Sequence, residues 1–496
     1  MQKLKKGNDN IIDYAFAIAA ITLLISLFLK AIFDMDTNYD VGWYHLPFAA
    51  RIWGIISEAS FTAGTKVEDR FDGFPLLAHF FQGFLWKITG RIEATRLVGY
   101  FSVVIYLFFL RSFFKVPLFV STIAIFTIPA VLTHAPGGFV DLPGNIGVAV
   151  ALMLLYVFFR ESRMPTKKEL LTLVLGAAVA ANTKPQLQPL VFVIFWVTIA
   201  RLTWLYFKYQ FSDQFSWKRA IFMATLTSAL IFATPIKNTV LYGNPFYPIR
   251  VEMFGKVLNH KAMPQTYSEG ERPQKWLRSI LEINTPQWSV DQFNRTNNPK
   301  YLDRAGGFFG AYMLFNLALI SILAIYQQLG NKKTLNAPIA LAMMLFLSLF
   351  CSNFPQSHEL RYFMFWAIVL VSLNLSLVFN MNWARRKTTY LKSIYLVFFI
   401  MMCVKIESFY LKPDWRYLNR YLNTVVDKEV LEQISPTEEN CLISFHGDEL
   451  KSSVPIQYAF YYNAYFHPEI GKEYKIVIAD DRKKCQNLNT VPRNVQ

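Results

Sequence analysis

Acidic side chains and a histidine follow directly after the first long apolar run of the chain. The apolar run is residues 11–33, and the segment after it, residues 34–47, contains three aspartates and one histidine. Ionisable groups at the boundary between a membrane and water are candidates for function. A carboxylate that is partly desolvated there is a better proton acceptor than one in bulk water. The pattern therefore predicts a general base that activates a hydroxyl group beside the membrane.

The four ionisable residues of this segment are not equivalent. Asp34 and Asp36 come immediately after the apolar run, and we interpret them mainly as a solvated polar flank. Asp40 and His45 lie further along, and for these we favour function, with Asp40 as the general base and His45 as a substrate-binding residue. Whether Asp34 or Asp36 assists Asp40 stays open.

Further candidates lie at the ends of later apolar runs. Asp141 begins one of them and is the second catalytic candidate, although a charge that stabilises a helix N-terminus explains it equally well. Cations for a leaving phosphate, together with one neighbouring tyrosine, are predicted at Arg96, Lys184, Lys237, Arg361 and Tyr362. Transfer of a sugar from a lipid phosphate requires a base, phosphate-binding cations and adjacent lipid.

The composition places these residues in a membrane protein. Of 496 residues, 53% are hydrophobic and only 17% are charged, and the mean hydropathy is +0.26. A soluble globular protein is normally more polar than this. The first apolar run lacks a cleavage site for a signal peptidase and is read as a retained anchor.

Apolar runs that suit membrane spans recur about eleven times. They lie at 11–33, 97–114, 117–133, 142–159, 169–182, 187–207, 220–236, 308–327, 335–351, 362–380 and 390–409. The segment Pro75–Gly90 is also apolar but contains His79, Gln82 and Lys87. If it lies along the membrane surface, every short basic loop falls on the cytoplasmic side, in agreement with the positive-inside rule. We therefore predict an external amphipathic juxtamembrane helix there.

This topology predicts an all-α polytopic membrane protein with a cytoplasmic N-terminus. Residues 1–410 form the membrane domain, with external loops 34–96 and 237–307, and residues 411–496 form a small external α/β domain. The tail is predicted to contain a helix at Trp415–Ile434 and strands at Cys441–Phe445 and Tyr474–Ala479. Cys441 and Cys485 share this tail, and whether they form a disulfide stays open. We expect the bacterial inner membrane as the location, with the active site and the C-terminus periplasmic.

Several classes of function are disfavoured by missing motifs. The chain contains no Walker A loop, no Gly-rich dinucleotide fingerprint, no metal-type Cys/His spacing and no Gly-x-Ser-x-Gly elbow. The formal charge of +16 comes largely from cytoplasmic flanks and external basic loops, which suit membrane lipids rather than nucleic acid. No metal ligand set and no certain cofactor are predicted, and a divalent metal stays open.

The order of short motifs along residues 11–410 resembles the GT-C superfamily of integral-membrane glycosyltransferases, which includes protein O-mannosyltransferases and aminoarabinose transferases. The matching motifs are an acidic first-loop helix (Asp40-Val-Gly-Trp-Tyr44-His45), Phe74-Pro75-Leu76-Leu77, Glu93-Ala94-Thr95-Arg96, Asp141, Thr183-Lys184, Lys237-Asn238, Gly243-Asn244-Pro245-Phe246-Tyr247-Pro248 and Arg361-Tyr362.

This resemblance implies a GT-C-like fold and an inverting sugar transfer at the external face. The donor would be a polyprenyl-phosphate sugar, the acceptor a lipid, glycan or protein, and the first-loop aspartate the base. Many members carry two adjacent acidic residues in that loop, whereas this chain has Asp40-Val41.

Two alternatives remain beside the transferase. A transporter or flippase for lipid-linked glycans would place ionisable residues near the middle of its spans and often shows repeated halves. The charges here lie at one surface and no repeat is evident, so we favour the enzyme. A glycan polymerase or ligase that uses diphosphate-linked donors would share the same geometry.

Overall fold

The apolar runs form long helices in the computed structural model. The structure describes residues 2–36, 38, 40–55, 66–209, 217–262, 271–283, 308–329, 335–380, 385–406, 408–417, 439–443, 475–479 and 489–491. Eight helices among these residues are long and apolar enough to cross a membrane. A ninth span results if one pair of helices, bent by 75° at Phe232, counts as a single crossing. The predicted all-α polytopic class is therefore confirmed.

The first half of the chain contains α1 to α9. Their bounds are α1 Gln2–Phe33, α2 Leu46–Ile52, α3 Lys66–Gly73, α4 Leu77–Thr89, α5 Leu97–Phe114, α6 Leu118–Phe126, α7 Pro129–His134, α8 Asp141–Arg160 and α9 Lys167–Ala181. A π-helical turn at Val41–His45 precedes α2, and a 3₁₀ turn at Ile92–Arg96 precedes α5.

The second half contains the remaining helices and short strands. The helices are α10 Gln188–Tyr209, α11 Trp217–Ile231, α12 Ala233–Tyr242, α13 Arg272–Leu281, α14 Phe308–Leu329, α15 Asn336–Asn353, α16 Met364–Asn380, α17 Arg385–Lys405 and α18 Ser408–Leu411. Strands β1 (Glu252–Met253) and β2 (Lys256–Val257) form an antiparallel hairpin. Further 3₁₀ turns lie at Pro185–Leu187 and Leu360–Phe363.

Three predicted spans are realised by shorter helices. The run 117–133 is divided between α6 and α7, because Pro129 begins a new helix. The run 169–182 is α9, with 15 residues, and 220–236 falls on the bent pair α11 and α12. A count of about eleven spans stays a prediction, since the shorter helices need tilt or a thinned bilayer to cross.

Helices α8 and α16 form the centre of the molecule. Within an 18-residue stretch, 89% of α8 is buried, and 94% of Leu360–Asn380, which is α16 with the 3₁₀ turn before it, against 17% for α17. Polar side chains join the central helices to their neighbours: the Tyr106 and Ser372 hydroxyls lie 2.8 Å apart, and Asn374 donates to the carbonyl of Asn316 at 2.8 Å. Such interhelical hydrogen bonds are common in membrane proteins, because lipid chains are as apolar as the side chains and no hydrophobic effect drives the helices together.

Small residues let α8 and α9 approach closely. A Cβ atom on Gly147 would meet the carbonyl of Gly176, and one on Gly176 would lie 2.8 Å from the carbonyl of Gly147. At its start α9 is held by a capping box, in which Thr166 and Glu169 each bond the other's backbone N–H. The contact fixes the two helices beside whose neighbouring ends Asp141 and Lys184 lie.

The predicted juxtamembrane segment is the 13-residue helix α4. It packs against α2, where Gly83 leaves room for the backbone of Ala49. In the C-terminal tail, the predicted strands correspond to β3 Glu439–Ile443 and β4 Lys475–Ala479, which pair in parallel, and β5 Asn489–Val491 pairs with β3 on the other side. Most of the predicted helix Trp415–Ile434 and Cys485 lie outside the described residues. The proposed domain boundary stays a prediction.

Candidate active site

Asp40 lies at the start of the π-helical turn that leads into α2. Its carboxylate oxygen Oδ2 is 2.8 Å from Nη1 of Arg361, although 321 residues separate the two along the chain. The Asp40 side chain is 19% exposed, whereas Arg361 is 5% exposed. Asp40 is therefore the partly accessible member of an ion pair whose cation is buried.

Arg361 makes three directed side-chain bonds. Besides the bond to Asp40, its Nε donates to Glu359 at 3.0 Å and its Nη2 donates to the Tyr362 hydroxyl at 2.8 Å. Its backbone carbonyl accepts a hydrogen bond from Asn145 of α8, and Asn145 in turn accepts from the backbone N–H of Phe365. Since a guanidinium has its donors in a rigid plane, these contacts hold Arg361 in one orientation.

A second buried ion pair lies beside the first. Nζ of Lys184 is 2.7 Å from Asp141, and the side chains are only 8% and 0% exposed. Lys184 also lies over the ring of Tyr362, 4.9 Å from its centroid. Tyr362 therefore contacts both pairs, Arg361 through its hydroxyl and Lys184 through its ring face.

The helix ends explain why these residues meet. Asp141 is the first residue of α8, Lys184 lies between α9 and α10, and Arg361 lies in the 3₁₀ turn before α16. Asp40 follows the end of α1. All four lie at helix termini rather than in helix interiors. The dipole at a helix N-terminus favours the carboxylates of Asp40 and Asp141. Lys184 and Arg361 precede α10 and α16, where the dipole does not favour a cation, so these carboxylates compensate their charges.

His45 and His79 form a buried pair next to the two ion pairs. Nδ1 of His45 is 2.8 Å from Nε2 of His79, and the residues are 0% and 1% exposed. Burial, reinforced by Lys184, lowers the pKa of His79 to about 3. Burial also holds the pKa of His45 well below its ordinary value, helped by His79 and by Lys184. Both rings are therefore neutral near pH 7.

Tyr44 closes the cluster on the side of Asp40. Burial raises its pKa well above the ordinary value, and the negative charge of Asp40 adds to the shift. The guanidinium of Arg70 lies 5.4 Å from the ring centroid of Tyr44. Tyr44 thus keeps its phenolic proton and can act as a hydrogen-bond donor.

Asp34 and Asp36 are buried, so the expectation of a solvated flank is wrong. Their exposures are 2% and 7%. Asp34 is paired with Lys30 at 3.0 Å and accepts from the backbone of Asp414 and Arg416. Asp36 accepts from the backbone N–H of Gly138 at 2.6 Å. These carboxylates hold the loops around the site, because they satisfy backbone donors that water would otherwise have to satisfy.

Arg96 and Lys237, two of the predicted phosphate cations, have their described contacts elsewhere. Arg96 donates to the backbone carbonyls of Asp34 and Pro136. Lys237 of α12 donates to the carbonyl of Asp72 at the end of α3. The structure therefore brings together Asp40, His45, Asp141, Lys184, Arg361 and Tyr362 of the predicted site residues and places these two in other clusters.

The carboxylates of the cluster do not form a metal-binding set. In the part of the chain that the structure describes, no three His, Cys, Asp or Glu side chains are placed to hold one metal ion. Asp40 and Glu359 both face Arg361, and Asp141 faces Lys184. Each carboxylate therefore contacts a cation in this structure, with Asp40 and Glu359 sharing Arg361.

Several members of the cluster were not predicted from the sequence. Glu359 is fully buried against Arg361, and Asn145 and His79 were not assigned to the site. The available signal was that Glu359 lies two residues before Arg361, and that His79 interrupts an otherwise apolar helix.

Neither a protein-family model nor a curated protein matches the chain. Among solved structures, the crystal structure of ArnT from Cupriavidus metallidurans in the apo state is similar over 97% of this chain and 91% of that chain, with 11% sequence identity and a TM-score of 0.37. A similarity of this degree carries no argument about activity, so the function below is derived from the side chains.

Proposed function

We propose that the protein is a membrane glycosyltransferase that transfers a sugar from a polyprenyl-phosphate donor to a lipid, glycan or protein acceptor. The reaction takes place at the external, periplasmic face of a bacterial inner membrane and inverts the configuration of the anomeric carbon. The observation that carries the proposal is the presence of two neighbouring ion pairs, the partly exposed Asp40–Arg361 and the buried Lys184–Asp141, joined through Tyr362.

Asp40 is the general base in this mechanism. The acceptor hydroxyl attacks the anomeric carbon and transfers its proton to Asp40, while the bond between that carbon and the phosphate oxygen breaks. The described bond to Arg361 uses Oδ2, so Oδ1 is the oxygen that receives the proton. The partial exposure of the side chain supports this role, since the acceptor has to reach the carboxylate.

Lys184 and Arg361 stabilise the leaving phosphate. The phosphate gains negative charge as its bond to the sugar breaks, and two fixed cations favour that change because they need no reorganisation during the reaction. Arg361 is held by Glu359 and Tyr362. Asp141 is fully buried, which suits it for positioning Lys184 better than for meeting an acceptor.

The position of the charges favours an enzyme over a transporter or flippase. A transporter for lipid-linked glycans needs binding groups near the middle of the bilayer that are accessible from both sides in turn. The ion pairs here lie at helix ends. A polymerase or ligase that uses a diphosphate-linked donor remains the alternative within enzymes, and the choice of donor in the assay distinguishes it.

The proposal is tested by sugar transfer in proteoliposomes with radiolabelled polyprenyl-phosphate and polyprenyl-diphosphate sugars. Asp40→Asn should reduce kcat about 10²- to 10⁴-fold, the range expected for loss of a general base. Asp13→Asn is the matched control, because Asp13 is an exposed carboxylate on α1 that pairs with Lys392 of α17 and is far from Asp40 along α1. Undiminished transfer by Asp40→Asn would remove the base assignment, and transfer from diphosphate donors alone would favour the polymerase or ligase.

A further inference from the structure

The hairpin formed by β1 and β2 carries an aromatic side chain at its tip. The two residues that join the strands are Phe254 and Gly255. Phe254 is 96% exposed, the highest value for any large hydrophobic residue that the structure describes. Met253 and Val257, on either side of the turn, are exposed as well. The tip of this hairpin is therefore apolar, and the described residues leave it uncovered.

The backbone conformation makes a phenylalanine at this position costly. Phe254 and Gly255 have φ angles of 52° and 74°, and a two-residue turn with two positive φ angles favours Asn or Asp followed by Gly. A bulky residue at positive φ is an outlier, because its Cβ atom crowds the following carbonyl oxygen. Phe254 gains little from packing in return, since the residue is exposed. Strain that packing does not repay is an indication of a binding role.

The base of the hairpin is fixed to the C-terminal end of α12. Asn259 donates to the carbonyl of Tyr242, the last residue of α12, at 3.2 Å. Asn244 is fully buried and donates to the carbonyls of Ile249 and Asn259 at 2.9 and 2.7 Å. An extended strand from Ile249 to the tip spans at most about 17 Å. The tip therefore stays near the end of α12.

Helix α12 has an apolar face that remains exposed up to its end. Ile236 and Val240 lie one helical turn apart on the same face, and both are exposed, as is Leu241. Together with α11, from which it is bent by 75°, α12 is apolar enough to belong to a membrane span. An exposed apolar face of this kind marks contact with the membrane. The base of the hairpin is therefore placed at a membrane surface.

The charges of the hairpin suit an anionic lipid surface. The segment 250–262 contains three cations, Arg250, Lys256 and Lys261, and one carboxylate, Glu252. Lys256 pairs with Met253 across the hairpin, directly beside the turn. A cation at this position can contact lipid phosphates while the apolar residue next to it enters the boundary between headgroups and acyl chains.

We propose that the β1–β2 hairpin inserts Phe254 into the surface of the bilayer at which α12 ends, with Lys256 contacting the headgroups of anionic phospholipids. The tip is attached to the end of a helix whose exposed face is apolar and belongs to a membrane span, so the partner is lipid rather than another protein. This contact does not depend on the proposed transferase activity and is tested without it.

Insertion is tested by photo-crosslinking of the full chain with the genetically encoded residue p-benzoylphenylalanine, which reacts with nearby C–H bonds. Phe254→p-benzoylphenylalanine, irradiated in proteoliposomes that contain phosphatidylglycerol, should form phospholipid adducts detected by mass spectrometry. The same substitution at Ile105, 65% exposed on α5, is the lipid-facing control. Lys167, exposed at the start of α9, is the water-facing control and should give few adducts. A yield at Phe254 no higher than that at Lys167 overturns the proposal.

The identity of the partner is tested with the same protein in native membranes. Phospholipid adducts at Phe254 are expected there too, whereas adducts with another protein in place of lipid would overturn the assignment of lipid as the partner.

The role of charge is tested by changing the lipid and the cation. In proteoliposomes of phosphatidylcholine alone, the yield at Phe254 relative to that at Ile105 should fall about fivefold, the contribution of one cation at an anionic surface. Lys256→Glu should lower the yield in the anionic bilayer, and it should have little effect in phosphatidylcholine. Equal yields in the two bilayers would overturn the contact between Lys256 and anionic headgroups.

Discussion

Each charged side chain at the centre of the candidate site has a partner of opposite charge, and all of them except the partly exposed Asp40 are buried. Removing one partner of such a pair leaves an uncompensated charge in a medium of low polarity. This explains why Asp141 can be fully buried beside Lys184, and why Glu359 can be buried beside Arg361. At the scale of the residue, the site is maintained by pairing rather than by solvation.

The Asp141–Lys184 pair gives a prediction about stability. Asp141→Asn should destabilise the protein by about 3–5 kcal/mol, because Lys184 is left buried without its counter-ion. The double variant Asp141→Leu with Lys184→Met should be less destabilised than the sum of the single variants. Unfolding in detergent by heat or by SDS measures each value.

The exposed pair Asp13–Lys392 provides the control for this cycle. Asp13 is 53% exposed, so its replacement by Asn should cost no more than about 1 kcal/mol. Additive effects at Asp141 and Lys184 would contradict the interpretation that the two charges stabilise each other.

At the scale of the element, the charged residues of the candidate site lie at helix ends rather than in helix interiors. The apolar run predicted at 97–114 coincides with α5, and that at 308–327 lies within α14. Hydrophobic periodicity and composition suffice for such elements. The division of 117–133 at Pro129 is also visible in the sequence, since proline begins helices and interrupts them.

The contact of α8 with α9 gives a prediction about an element. Gly147→Leu should destabilise the protein by about 1–3 kcal/mol through overpacking, and it should lower transfer because Asp141 and Lys184 would move apart. Leu175→Val is the control, since Leu175 is 51% exposed on α9, one residue before Gly176. Wild-type thermal stability of Gly147→Leu in detergent would show that the close approach is not needed.

At the scale of the whole molecule, the sequence predicts the topology of the helices but not the contacts between their ends. Short basic loops and longer acidic or polar loops alternate along the chain, and this predicts which helix ends share a side of the membrane. It does not tell which of those ends lie next to each other. Arg361, the partner of Asp40, is placed by the packing of α16 against α8, where Asn145 donates to its backbone carbonyl.

Topology is tested by cysteine accessibility in intact cells. Lys87 of α4 and Lys167 of α9 are both exposed, and single cysteines at these positions should react from the outside and from the inside, respectively. Labelling of both positions from the same side would reverse the assignment of α4 as an external juxtamembrane helix.

The amino-acid sequence by itself determined the helices, the membrane class and most of the charged candidates, because apolar runs and charged flanks are local properties of the chain. Tertiary structure decided which candidates meet. Asp40, Asp141, Lys184 and Arg361 converge, whereas Arg96 and Lys237 bond backbone carbonyls elsewhere. Glu359 and His79 enter the site only through packing. The physical reason is that a buried charge or imidazole needs partner side chains, and these partners come from helix ends that are far apart in the chain.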